Sequence, residues 1–248
     1  MIMRMSVTAC CLATLATLAS GDAAAAKLYI MTERLPPASM QDGAHVIGRE
    51  TDKIREVMLR SSITYTIDLL PWKRAYSTAL ARADACVYST TRTPEREQLF
   101  KWVGPTDEAD WVFLGRPEHT FKLDTLDDAR TLRIGTYNGD ARDEFLRTHG
   151  FHVDPVLDDF ANPQKLLLNR IDLWAVGIRP GSTALANYSW SEKVVPLLVF
   201  KHIQVYLACN PAVPDALIEQ MNAALAAMRR DGAVAKIERH YEHWNERK

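Results

Sequence analysis

ITYTIDLLPWKRAYSTALARADACVYS, residues 63–89, is the stretch from which the fold is read. Ile63 to Leu69 alternates apolar and polar residues and is rich in β-branched side chains, which suits a half-buried strand. Pro71 is tolerated only in the first turn of a helix, so it opens one that runs to about Ala81. Ala85 to Ser89 is a second strand. Upstream, Leu28 to Thr32 is a short apolar strand, and Glu33 to Pro37 is a loop because two prolines stop strand and helix alike. Asp42-Gly43 marks a turn, and Ile54, Val57 and Met58 carry the spacing of a helix over about 50–60. The whole run alternates strands with helices, the pattern of an α/β sheet covered by helices.

Downstream, Trp111 to Leu114 is a strand, and Gly115-Arg116-Pro117 is a crossing point into a second α/β run. That run has strands at 132–136 and 171–176, a turn at Tyr137–Asp140, a helix from Asp140 to about His149 and a short helix at 163–169. Two further strands are expected at 194–199 and 203–207. Pro214-Asp215 begins a helix with Leu217, Met221, Ala224 and Met228 on one face. Asp231-Gly232 ends it, and a last helix runs from about Ala233 to His243.

Of 248 residues, 47% are hydrophobic and 25% charged, with 30 Lys and Arg against 31 Asp and Glu. This is ordinary globular usage and excludes collagen-like, disordered and coiled-coil chains. A net charge of −1 gives no general attraction to nucleic acid. Residues 1–26 read as a secretory signal peptide: Arg4, then the uncharged run Val7 to Ala19, then Ala24-Ala25-Ala26 as the cleavage site before Lys27. The expected location is the periplasm.

Several features in order carry a resemblance: Glu33 with Pro37, Pro71-Trp72-Lys73-Arg74, Ala83-Asp84-Ala85, Arg92-Thr93-Pro94-Glu95-Arg96, Gly104-Pro105, Gly135 with Gly139, and Met228 to Gly232. Over Leu28 to about Trp244 the chain resembles the family 3 periplasmic solute-binding proteins, which serve polar amino-acid ABC importers. The resemblance implies a two-lobed type II periplasmic-binding-protein fold, each lobe a mostly parallel sheet flanked by helices, with two crossover segments. Lobe 1 is expected at 27–114 plus 203–248 and lobe 2 at 115–202. The implied function is capture of a small carboxylate-bearing ligand, an amino acid or related acid, between the lobes, followed by delivery to an ABC permease. The expected protein is a monomer with no cofactor, metal or nucleic-acid partner.

The same resemblance assigns residues. Arg96 would hold a ligand carboxylate, since a guanidinium donates two parallel hydrogen bonds; Arg92 in the same loop is the substitute. Ser89 and Thr91 would contact ligand through hydroxyl or backbone, and Trp72 would stack on it. Glu33 is either a partner for a cationic group or a solvent-facing glutamate. Asp140 is either part of a helix N-terminal ligand site or a simple cap. One departure stands out: amino-acid binders of the family place an acid after the strand matching Ile171–Val176, where this chain has Gly177, followed by Ile178 and Arg179. A buried ammonium without a counter-charge is costly, so an ordinary α-amino acid is not the expected ligand.

An enzyme of the same fold, a cyclohexadienyl dehydratase, is the alternative, with Glu33 its one candidate acid or base; a soluble ligand sensor is a third reading. No nucleophile elbow, phosphate loop or zincin motif occurs, and His240 with His243 lacks further metal ligands. Beyond the leader only Cys86 and Cys209 remain, which permits one disulfide without requiring it. The implied topology sets their strands side by side, but a one-residue slip puts the side chains on opposite faces. The expectation is two buried, reduced thiols.

Overall fold

A computed structural model describes residues 27–180 and 189–242; the expected leader at 1–26 and His243 lie outside this range. The elements in order are β1 (Lys27–Thr32), β2 (Met40–Asp42), β3 (His45–Ile47), α1 (Arg49–Arg60), β4 (Thr64–Leu69), α2 (Trp72–Ala81), β5 (Ala85–Thr91) and β6 (Lys101–Gly115). They continue with β7 (Ile134–Tyr137), α3 (Ala141–Thr148), β8 (Val153–Val156), α4 (Asn162–Leu167), β9 (Leu173–Ile178), β10 (Val195–Cys209), α5 (Asp215–Arg230) and α6 (Ala233–Tyr241). No helix among the described residues is long and apolar enough to cross a membrane.

Eight strands form one sheet in the order β4-β1-β5-β10-β6-β9-β7-β8. The outer pairs are parallel, β1 with β4 and β5 on one side and β7 with β8 and β9 on the other. In the middle, β6 and β10 run antiparallel from Lys101 opposite Cys209 to Gly115 opposite Val195, so both strands belong to both halves. This is the expected two-lobed α/β architecture.

Each half has its own apolar core. In the first, Ile30, Ile54, Met58 and Leu207 pack with Met221 and Met228 of α5, which returns the C-terminal helices to this half. In the second, Phe113, Ile134, Leu146 and Leu173 form the centre. Each such side chain contributes about 1.5–3 kcal/mol on burial. Gly48 locks the start of α1 to the loop that follows β1: its φ is 128°, and a Cβ there would lie 2.4 Å from the Ala38 carbonyl oxygen. The amides of Arg49 and Glu50 then donate to the carbonyls of Pro37 and Ala38.

Three expectations are corrected, and the β2–β3 hairpin and β8 are added. The strand expected at 111–114 begins at Lys101, because pairing with β10 holds a Gly-Pro and acid-rich stretch that reads as loop in isolation. The strands expected at 194–199 and 203–207 are one strand, bulged between Val199 and Lys201. The β2–β3 hairpin and the edge strand β8, with Pro155 inside it, carry little strand signal of their own. Cys86 and Cys209 are not reduced thiols. They face each other in the β5–β10 register with Cα atoms 4.0 Å apart and are joined as a disulfide.

Candidate functional site

Ser89 stands where β5 carries an extra residue. Thr90 pairs with Tyr206 and Val87 with Ala208, so Tyr88 and Ser89 together oppose Leu207. Ser89 absorbs the bulge with a φ of 59°. Such bulges re-aim side chains. Here the Ser89 Oγ is buried, has no hydrogen-bond partner, and belongs to the wall of a cavity of about 140 Å³ between the halves of the sheet.

That cavity draws on every part of the fold. The first half supplies the Glu33–Ala38 loop, Arg49, Ser89 and Thr91; the second supplies Tyr137, Asp140, Arg142, Asp159, Trp174 and Gly177. The crossing strands supply Asp107, Trp111 and Val205. Of the residues expected at a ligand, Glu33, Ser89, Thr91 and Asp140 are therefore brought together.

Arg96 and Trp72 are not in this wall. Both come from the first half and grip the turn after β7. Trp72 donates from Nε1 to the Gly139 carbonyl at 2.9 Å and from its backbone amide to the Tyr137 hydroxyl at 3.1 Å. Arg96 donates from Nη2 and Nε to Glu144 Oε2 at 2.8 and 3.2 Å, and its guanidinium lies 4.7 Å from the Tyr76 ring centre. The fork expected to clamp a ligand carboxylate holds one belonging to the chain. Arg92 is paired with Glu97.

Around Glu33 the charges are tightly set. Asp140 caps α3, accepting from the Arg142 amide at 2.8 Å, and also takes the Arg142 Nε at 2.6 Å. Arg142 Nη2 reaches Asp159 at 3.3 Å, while Trp174 Nε1 donates to the other Asp159 oxygen at 2.8 Å. Burial, then the Asp140 charge, push the Glu33 carboxyl up to about 8; Arg142 and a hydrogen bond with Tyr137 oppose this. Asp159 is raised mainly by its burial. For Asp140 burial acts upward, but Arg142 and its hydrogen bonds prevail and the carboxyl is lowered. A Cβ on Gly177 would sit 3.6 Å from Arg142 Nη1, so a guanidinium fills the space where an acid was expected.

A second charged cluster adjoins the first, with Arg49, Glu50, Asp107 and Arg179 in the cavity wall. Lys53, fully buried, contacts Glu50 at 2.9 Å and Glu238 at 3.0 Å and donates to the Thr106 carbonyl at 2.8 Å. Arg49 bonds Asp107, and Arg179 spans Asp107 and Glu238 at 3.4 and 3.0 Å. Among the described residues no cluster of three His, Cys, Asp or Glu side chains is arranged to hold a metal ion.

Arg142 was missed from the sequence, although one signal was present. A basic residue in the first turn of a helix opposes the macrodipole, so it needs nearby acids to hold it there. Asp159 had no such signal, since its role depends on the turn before α4 folding back onto Arg142.

The family and the fold have known relatives. A family model described as bacterial extracellular solute-binding proteins, family 3, matches residues 28–243. The ABC transporter arginine-binding protein 1 of Escherichia coli K12 is 28% identical over 245 residues, covering 91% of this chain and 94% of that protein. A mutant of ArgBP from T. maritima superposes with a TM-score of 0.75 at 18% identity, covering 87% of this chain and 95% of the other. A histidine kinase sensor domain with similarity to periplasmic binding proteins gives 0.77 at 14% identity, covering 89% and 98%.

Proposed function

The chain belongs to the bacterial extracellular solute-binding proteins, family 3, and on that premise we propose that it captures a small polar solute between its halves and delivers it to an ABC permease. The observation that carries this reading is the cavity itself: walled by both halves, floored by β6 and β10, and holding a buried Ser89 hydroxyl without a partner. In this reading lobe 1 is 27–114 plus 203–248 and lobe 2 is 115–202, with the hinge in the two long strands. The leader is removed after Ala26 and the mature protein works in the periplasm as a monomer.

The carboxylate-bearing ligand expected from the sequence loses its expected partner, because Arg96 already holds Glu144. The likeness to a protein named for arginine supports a small ligand with a cationic group. A thermal-shift and calorimetric screen of amino acids, amines, guanidines and carboxylic acids tests the reading. Saturable 1:1 binding of one of them supports it; a protein that binds no small solute overturns it.

One observation favours a second reading, an enzyme of this fold: Glu33 is a buried, proton-holding carboxyl in the cavity, as a general acid must be. Recovery of the bound solute by mass spectrometry separates the two. An altered solute indicates an enzyme, an unaltered one a carrier.

A further inference from the structure

Resting on the solute-binding reading, we propose that the ligand is an organic cation without a carboxylate, a guanidinium or ammonium compound, seated against the buried Glu33 carboxyl in the cavity. Three observations lead there. The first is the balance of charge. Facing Glu33 are Tyr137 from β7, Asp140 and Arg142 from the start of α3, and Asp159 from the turn before α4. Three carboxyls thus share one guanidinium in a site shielded from water.

The second is that the chain's own acids occupy the groups that would receive a carboxylate. Arg96 holds Glu144, Arg142 holds Asp140 and Asp159, Arg49 holds Asp107, and Arg179 holds Asp107 and Glu238. Arg34 lies over the Phe160 ring. The amide end of α3, a natural anion site, is closed by the Asp140 cap. A ligand carboxylate competes with these acids and finds only the buried Arg49 Nε and Arg96 Nη1 without a partner; a cation meets the acids directly.

The third is the orphaned acceptors, which stand beside two orphaned arginine donors, Arg49 Nε and Arg96 Nη1. Glu50, 1% exposed and part of the cavity wall, has an Oε2 without a hydrogen-bond donor, and the Ser89 Oγ is likewise unpaired. A buried acceptor without a donor is unfavourable until one arrives. Guanidinium and ammonium groups are donors only. The Trp174, Trp111, Tyr137 and Phe160 rings along the cavity also suit a planar cation.

Entry of the cation favours the Glu33 carboxylate, and its proton leaves to the solvent. Below pH 8 each binding event therefore releases close to one proton, and affinity rises with pH by up to about tenfold per unit. Calorimetry in two buffers of different ionisation enthalpy counts that proton. The probes are n-butylguanidine, agmatine, L-arginine and 4-guanidinobutanoate.

The expected result is binding of n-butylguanidine or agmatine at least tenfold tighter than the two carboxylates, with about one proton released at pH 7. Glu33→Gln should abolish the release and flatten the pH dependence. If that variant does not fold, the proton count on the unsubstituted protein decides. Tighter binding of L-arginine or 4-guanidinobutanoate, or cation binding without proton release, overturns the inference and leaves the solute-binding reading intact. Binding of some other class of solute, with none of the four bound, does the same. A protein that binds nothing in the wider screen overturns both.

Discussion

Arg96 and Glu144 meet across the cleft, Nη2 to Oε2 at 2.8 Å, although their Cα atoms belong to opposite halves of the molecule and 48 residues separate them. The Arg96 side chain is 2% exposed and that of Glu144 48%, so the contact is anchored on one side and wet on the other. It joins Trp72 in holding the β7–α3 turn against the first half. The arginine expected at a ligand's charge bridges the two halves.

Removing the outer member of that clasp should open the molecule. Glu144→Ala is expected to raise the ligand-free radius of gyration in small-angle scattering. The coupling with Arg96→Ala in a double-mutant cycle should be about 0.5–1 kcal/mol, the range for a partly exposed pair. An unchanged scattering profile would mean that the halves are held together without it.

Glu33 gives the apo protein a pH signature of definite sign. Its carboxyl holds a proton up to about 8 when folded and releases it near 4.5 when unfolded. Between those values the native state binds more protons, so this group's contribution to stability is present at low pH and falls as pH rises toward 8. The melting temperature should therefore drop more between pH 5 and pH 8 in the unsubstituted protein than in Glu33→Gln. Parallel pH profiles for the two proteins would refute the assignment.

Ser89 combines a strained backbone with a hydroxyl that has no partner. Glycine relieves a left-handed conformation that costs other residues about 1–2 kcal/mol. Ser89→Gly is expected to stabilise the protein by about 1 kcal/mol in urea unfolding while weakening ligand binding at least tenfold by calorimetry. A destabilised variant with unimpaired binding would show that the bulge serves packing alone.

The Cys86–Cys209 bridge closes a loop with a sequence separation of 123, for which chain entropy gives about 5 kcal/mol. Denatured, unreduced protein should show no reactive thiol at either position. Reduction should lower the urea midpoint without abolishing the far-ultraviolet spectrum of the α/β sheet.

The repeating strand–helix pattern around Pro71 made the fold class legible, because periodicity and proline positions are local properties. The resemblance over nearly the whole chain then placed Glu33, Ser89, Thr91 and Asp140, all of which line the cavity. What failed was non-local. The full reach of β6 depends on β10, ninety residues further on, and no residue within Lys101–Asp110 announces it. Cys86 meets Cys209 only because the β5–β10 register puts them opposite, and a register is not written in either segment. Arg96 carries the motif expected of a ligand clamp, yet its partner is decided by Glu144, a surface-type residue one turn into α3.

The central place of β10 also sets an order of events in biosynthesis. β5 lies between β1 and β10, so the first half has an open sheet edge until residues 195–209 have been made. Strands β7, β8 and β9 are contiguous in the chain and can pair while that edge is still waiting. Cys86 then stays a thiol through the making of the entire second half, and its oxidation to the Cys209 partner records that the last strand has docked. Once formed, that bridge ties β10, the last strand to be made, to β5 of the first half.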